Sequence, residues 1–286
     1  MQIMSSIILD VVASSVPFRF LVGPNEREFT IHSALFTCQS PVFERLVNGN
    51  FTEATEKCVK WASVEEDTFL RFWQYTYTGN YAAAPPVSVA IESNSEAIPE
   101  PPPQPTPPTR PQTKESPFPA LFDSRLPPPP TRNVPSKEPK PTALWSAFLQ
   151  RRHSDSIAVL YTPTPVRFPG PASNPADEDY TNTFLSHVRL FIFAECYGIA
   201  ALMTHSLNEL HWTLARFTVH KERVNDVVAL VDYCYENSTP EALRDLVTLY
   251  AACKLDKLWK SEQFRALVEA HSELSMALLG LMVKES

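Results

Sequence analysis

Phe18-Arg19-Phe20-Leu21-Val22-Gly23-Pro24-Asn25-Glu26-Arg27-Glu28-Phe29-Thr30-Ile31-His32-Ser33-Ala34-Leu35 is the stretch whose reading decides the fold. Phe18, Phe20 and Val22 fall on one face of a strand. Gly23-Pro24-Asn25 supplies turn chemistry, and Phe29 and Ile31 resume the period of two, so residues 18–32 predict a β-hairpin. Downstream, Ser40-Pro41 combines an N-cap with a first-turn proline. Val42, Phe43, Leu46 and Val47 follow at helical spacing, predicting a short buried helix. Lys57 to Trp61 reads as another strand, and Phe69, Phe72, Trp73 and Tyr77 mark one face of a helix that stops at Gly79.

The 286 residues carry 28 prolines, of which only Pro17, Pro24, Pro41 and Pro240 lie outside residues 85–175. Proline removes a backbone donor and fixes φ, so residues 85–179 are expected to form a disordered, proline-rich insertion. Beyond it the pattern is helical throughout. Leu185, Val188, Ile192, Cys196 and Ile199 make one apolar stripe, and Val224, Val227, Val228 and Val231 a second. Leu243, Leu246, Val247 and Tyr250 follow Thr239-Pro240 as a third, and Leu274, Leu278, Leu281 and Met282 form the last.

Lys+Arg 25 against Asp+Glu 32 leaves a net charge of −7, with acidic excess in every part of the chain. No basic face offers itself to nucleic acid, and no direct nucleic-acid partner is expected. No stretch approaches the ~20 apolar residues needed to span a bilayer. The apolar run near the N-terminus lacks a positive leader and is broken by Asp10, which argues against a signal peptide. The expected setting is soluble and intracellular, cytoplasmic or nuclear, with no membrane partner. Cys38, Cys58, Cys196, Cys234 and Cys253 are odd in number and never spaced C-x-x-C. They read as small buried hydrophobes in a reducing compartment and not as a disulfide framework or a zinc site.

The order strand, strand, paired short helices, strand, helix ending Tyr77-Thr78-Gly79 resembles the BTB/POZ domain. The matching residues are Val22-Gly23, Phe29 to Leu35, Ser40-Pro41-Val42-Phe43 and Phe51-Thr52-Glu53. Leu190 to Ile199 and Leu202 resemble the next helices of the same domain, which the insertion would therefore interrupt. Tyr233 to Asn237, Leu243-Arg244-Asp245-Leu246 and Leu258-Trp259 look like the helical tail of BTB proteins of filamentous fungi. The resemblance implies an α+β fold: a BTB/POZ core, a small mixed sheet flanked by helices, from residues 16–84 and 180–218, with an all-α extension over 219–286. It also implies a buried His32 bonded to a backbone group. Pro17 and Ser33 stand where well-studied members carry an acid and a base in the dimer groove, so co-repressor recruitment through that pocket is not implied.

Nothing in the residues points to catalysis. A nucleophile elbow G-x-S-x-G is absent, and six glycines leave no phosphate-cradling loop. His205, His211 and His220 lack a carboxylate and a second ligand at metal spacing and read as ordinary, and no cofactor or metal is expected. An enzyme with an unrecognised site is the alternative from another class. A deep cleft collecting perturbed titratable groups would be its signature.

The expected function is protein–protein interaction, by a scaffold or adaptor that self-associates as a homo-oligomer, most simply a dimer. Ile7, Ile8, Leu9, Val11 and Val12 form an apolar leader without evident intrachain use, which in BTB dimers packs on the partner. Phe51 and Glu53 match the hydrophobic-x-acid motif by which some BTB adaptors hold a cullin, implying an alternative role as substrate adaptor of a ubiquitin ligase. Pro105-x-x-Pro108-x-Arg110 and Pro127-x-x-Pro130-x-Arg132 suit polyproline II docking in an aromatic groove. Arg151-Arg152-His153-Ser154 makes Ser154 a candidate phosphorylation site. Leu144, Trp145, Phe148 and Leu149 gather on one side of a short apolar helix that either folds back on the domain or docks a partner.

Overall fold

The hairpin forms as its alternation dictates. In a computed structural model, which describes residues 10–89, 143–151, 153, 174–237 and 239–283, β1 (Pro17–Val22) and β2 (Arg27–His32) pair antiparallel with Phe20 opposite Phe29. Phe18, Phe20, Val22 and Ile31 are fully buried. Gly23, at φ 75°, makes the turn, where a side chain would be strained. The chain then runs through α1 (Ser33–Thr37), α2 (Pro41–Asn48) and α3 (Thr52–Glu56) before β3 (Cys58–Trp61). β3 lies parallel to β1 on the side away from β2. A parallel partner needs a crossover, and the three short helices provide it.

Ser40 starts α2 as its sequence signature predicts, its Oγ accepting from the Val42 N–H at 3.0 Å. The same hydroxyl donates to the Tyr197 carbonyl, far along the chain. α4 (Glu66–Thr78) ends at Gly79, whose φ of 72° is left-handed. Its buried face is Phe69, Phe72, Tyr75 and Thr76. Trp73 and Tyr77, expected on that face, lean instead toward β2: the Trp73 indole donates to the Thr30 carbonyl at 2.9 Å, and Tyr77 is exposed.

The expected insertion is narrower than 85–179 and is interrupted. β4 (Val87–Ser88) pairs antiparallel with β5 (Glu178–Asp179), and the Val89 N–H reaches the Asp177 carbonyl at 2.7 Å, so the two ends form a neck. Asn174 is buried and bonds both the N–H and the carbonyl of Thr218. Within the stretch, Ala143–Gln150 form a helix, α5, with Phe148 fully buried and Leu144 nearly so. Of the two outcomes left open for the Trp145 island, it folds back on its own chain.

α6 (Thr181–Cys196) and α7 (Ala200–Arg216) pack closely against each other. α8 (Val224–Glu236), α9 (Glu241–Cys253), α10 (Leu255–Leu258), α11 (Glu262–Ala270) and α12 (Ser272–Val283) follow. One cluster of buried residues runs from Leu144 through Phe184, Val227 and Tyr250 to Leu278, while a second holds the sheet, α2, α4 and the Leu190–Leu202 stretch. Phe217 and Val219 sit together in the first cluster, so packing is continuous across residues 218 and 219. The fold is mixed α+β, mostly helical, with a small three-stranded sheet.

Three expectations fail for stated reasons. Cys196 closes α6 on its solvent side and is exposed, and Cys38 is exposed also, leaving Cys234 as the fully buried thiol. His32 is half-buried and pairs with the Tyr77 hydroxyl at 3.1 Å, not with a backbone group. Met282 faces solvent while Leu274 and Leu278 carry the stripe of α12.

Because the neck at Val89 and Asp177 and the packed helix α5 both lie outside residues 91–140, replacing those residues by a Gly/Ser bridge long enough to run from Ala90 to Pro141 is expected to leave the urea midpoint within error. Closure entropy changes by only about 0.6 kcal/mol per halving of loop length. Replacing residues 86–178, which also removes α5 and Asn174, lowers it measurably. Equal midpoints for the two deletions would show that α5 contributes nothing to stability.

Candidate interaction site

The strongest exposed apolar feature of the sheet half is Phe51. Residues 49–51 connect α2 to α3, and Gly49 permits the bend: a Cβ there would stand 2.3 Å from the Arg45 carbonyl oxygen and 3.1 Å from the Phe51 ring. Phe51 therefore lies over the backbone of Gly49 with its ring turned outward, 61% exposed. Its carbonyl starts α3 by accepting the Ala54 N–H at 3.1 Å, and Ala54 is buried. Glu53, two residues along, is half-buried and stands in the first turn of α3, where a carboxylate faces the positive helix end. The two candidate contacts are thus neighbours on one rigid corner, and Phe51 is not a core residue.

Of the leader, Ile7, Ile8 and Leu9 lie outside the described residues. Residues 10–14 are helical, Val11 is exposed and Val12 half-buried. Ser33 donates its N–H to the Val16 carbonyl at 3.0 Å, tying this segment to the end of β2. Val11 also borders an open depression of about 520 Å³ with Ala34, Thr37, Cys38, Pro41 and Glu44. Although Cys38 is exposed, partial desolvation by its neighbours raises its thiol pKa above the ordinary value. Pro105, Pro108, Arg110, Pro127, Pro130, Arg132 and Ser154 lie outside the described residues.

α12 shows a further apolar surface. Met276, Leu279 and Val283 recur at helical spacing on its outer side and are exposed, opposite buried Leu274 and Leu278. Among the described residues no single helix is long and apolar enough to cross a membrane. No group of three or more His, Cys, Asp or Glu among them is placed to hold a metal ion.

One group of perturbed titratable side chains lies in a seam between the chain leaving α4 and helices α6 and α7, and a second pair, His153 and His211, lies beside α5 with ring centroids 5.1 Å apart. The Tyr81 hydroxyl meets His187 Nδ1 at 2.6 Å, and His187 Nε2 meets Thr213 Oγ1 at 3.4 Å. Thr213 donates its own proton to the Glu209 carbonyl, so it accepts from His187. His187 is then the neutral tautomer protonated on Nε2, and Tyr81 donates to Nδ1. Burial, with Arg71 and His205 adding repulsion, lowers His187 to about 3. Burial raises Tyr81 well above its usual range. His205, whose Nε2 meets Asn80 Oδ1 at 3.0 Å, is lowered by burial to about 4. Elsewhere, Asp226 accepts the Tyr180 N–H at 2.9 Å at the start of α6, and burial lifts it to about 6. Reading the sequence misses His187 because its partner lies more than a hundred positions away. The only available signal is a histidine inside an otherwise apolar helix.

The seam contributes to the acid limb of stability, and His153, lowered by burial to about 4, and His211, also lowered by burial, act with the same sign. Unfolded, His187 and His205 bind protons near 6.5; folded, they do so only near 3 and 4. The unfolded chain takes up protons first, so stability is full above about pH 7 and falls as pH drops below 6.5. Asp226 acts oppositely, since the folded carboxyl keeps its proton up to about 6 against 3.8 unfolded, and it offsets part of the loss. The urea midpoint is expected to fall from pH 7 to 4.5, and His187→Asn with His205→Asn to make that fall shallower, leaving the share carried by His153 and His211. A wild-type profile flat over this range would contradict the neutral, buried seam.

No family model matches the chain, and no curated protein matches its sequence.

Proposed function

We propose that this chain is a non-catalytic protein–protein interaction scaffold of the BTB/POZ type, acting inside the cell and self-associating through its N-terminal half. The observation that carries the reading is the shared aromatic core. Residues from β1 to α4 and from α6 to the start of α7 are separated by the insertion, yet Phe43 and Trp61 stack on Tyr197 and Phe72 packs at a tilt on Phe193. The order of two strands, short helices, a third strand and a helix around that core supports the reading, with three short helices where the sequence suggested a pair. Val11, at the edge of the depression, and Val16 are exposed, and the apolar Ile7-Ile8-Leu9 precedes them. Two-fold pairing of this patch with its copy would cover it without open-ended growth. Light scattering at micromolar concentration should give twice the monomer mass, falling toward one when residues 1–14 are removed. A strict monomer overturns self-association.

A second reading, substrate adaptor for a cullin-based ligase, is favoured by the outward Phe51 ring. An exposed aromatic anchor is the type of side chain that dominates interfaces. Phe51→Ala should weaken binding to the N-terminal region of the host's cullin by ~2 kcal/mol or more without moving the melting temperature. Glu53→Ala, which removes one charge-assisted hydrogen bond, should cost about 1–2 kcal/mol. Absence of binding at tens of micromolar leaves the scaffold reading alone.

A further inference from the structure

α5 has the build of a bound ligand. It is eight residues long, and a helix of that length is marginal in water without packing. Its anchor, Phe148, is fully buried against His211 of α7 and Tyr250 of α9, at ring centroids 4.5 and 5.4 Å away. Trp145 stacks on Phe148, and the Lys254 ammonium lies 3.7 Å over its ring. At the rim, Arg151 pairs with Asp245 at 3.3 Å. A buried aromatic centre ringed by exposed charge is the anatomy of an interface between molecules, and an amphipathic helix laid on an apolar seat is a recurrent mode of peptide recognition.

The covalent link says the same. α5 joins the rest of the fold through residues 90–142 on one side and 154–173 on the other, and Pro139 and Pro141 stand immediately before it. A chain of that length on both sides keeps α5 near its seat at an effective concentration of about millimolar whenever it is displaced.

We propose that the seat formed by His211, Asp245, Tyr250 and Lys254 is a helix-docking site, that α5 occupies it as a detachable ligand in cis, and that the partner it receives in trans is a short amphipathic helix with Leu-Trp-x-x-Phe spacing. The basic residue after the helix, Arg151 in this chain, sets its polarity through Asp245. Lys254 selects an aromatic side chain at the Trp145 position, since a cation over a ring face is attracted by its quadrupole. This role stands apart from self-association and from the Phe51 corner.

The test uses the full chain with one protease site inserted within residues 120–135 and another within 158–168, cleaved after folding. The probe is a fluorescent peptide of residues 141–153. After cleavage and gel filtration, the excised fragment should leave, and the remaining protein should bind the peptide at least ~10²-fold more tightly than the uncleaved chain, whose own α5 competes. A peptide carrying Phe148→Ala should fail to bind, and Lys254→Ala in the protein should weaken binding several-fold. A fragment that stays associated through gel filtration and does not exchange with the peptide over a day overturns the proposal. So does loss of the near-UV dichroism of the remaining protein when the fragment leaves. Either result makes α5 an integral part of the core.

Discussion

Both hydrophobic cores lean on a single helix, α6. Leu190, Phe193 and Ala194 belong to the sheet-side cluster, while Phe184, Val188 and Phe191 belong to the helical one. A helix apolar around its circumference must be covered all round, and here two sets of elements share the task. Its few polar residues are used as ties. Arg189 reaches Glu65 at the start of α4 at 3.4 Å and also lies over the Tyr233 ring of α8, 5.6 Å from its centroid. Neither the strands and helices before the insertion nor the helices after it close a core alone. Folding of the two parts is therefore coupled through α6.

That coupling explains why a long insertion between α4 and α6 is tolerated. The segment following Tyr81 is stitched to α6: Thr183 Oγ1 donates to the Ala84 carbonyl at 2.8 Å, and the Ala84 N–H donates to Ser186 Oγ at 3.1 Å. With β4 and β5 paired beyond these bonds, the chain leaves and re-enters at fixed, adjacent points. Closure entropy depends only weakly on what lies between such points. The rigid aromatic centre, where Phe20 meets Phe18, Phe36, Trp61 and Phe69 within 5.3 Å, holds α1, α2 and α3 at the surface. Phe51 is thereby presented on a fixed corner, at little ordering cost to a partner.

How much of this was legible in the sequence depended on whether an element is covered on one side or on several. Phe18, Phe20, Val22, Phe29 and Ile31 alternate because the hairpin has one buried face, and Ser40-Pro41 specifies a helix start locally. α6 defeats the same reading, because a stripe through Leu185, Val188 and Ile192 describes only part of a helix buried on several sides, and Cys196 falls on its exposed end. Trp73 and Tyr77 mislead for a related reason: long side chains on the flank of α4 reach the β2 edge, an outcome periodicity does not encode. Proline density marked the edges of the expected insertion poorly. Asn174 and Ala143–Gln150 are held by contacts distant in sequence. For the candidate contacts, the pattern Phe51-x-Glu53 was visible, but its exposure follows from the close approach at Gly49, which needs the fold.

The buried seam shows what polar groups add to an otherwise apolar junction. Tyr81, His187, Asn80 and His205 take space that leucine or phenylalanine could fill, and apolar replacement of buried polar sets is often neutral for stability. Apolar contacts, however, are nearly indifferent to a small slide of the 80–84 segment along α6 and α7. The seam is not, because each of its hydrogen bonds needs a particular partner. Asn80 Oδ1 takes both the Tyr81 N–H and His205 Nε2, and His187 accepts from Tyr81 while donating to Thr213. A slip of one residue would leave buried donors and acceptors unpaired, at about 1–3 kcal/mol each. The register of the segment that leads into the neck is therefore set by these bonds. That register in turn brings Val87 opposite Asp179, so the point at which the insertion leaves the fold is decided by a tyrosine and a histidine inside it.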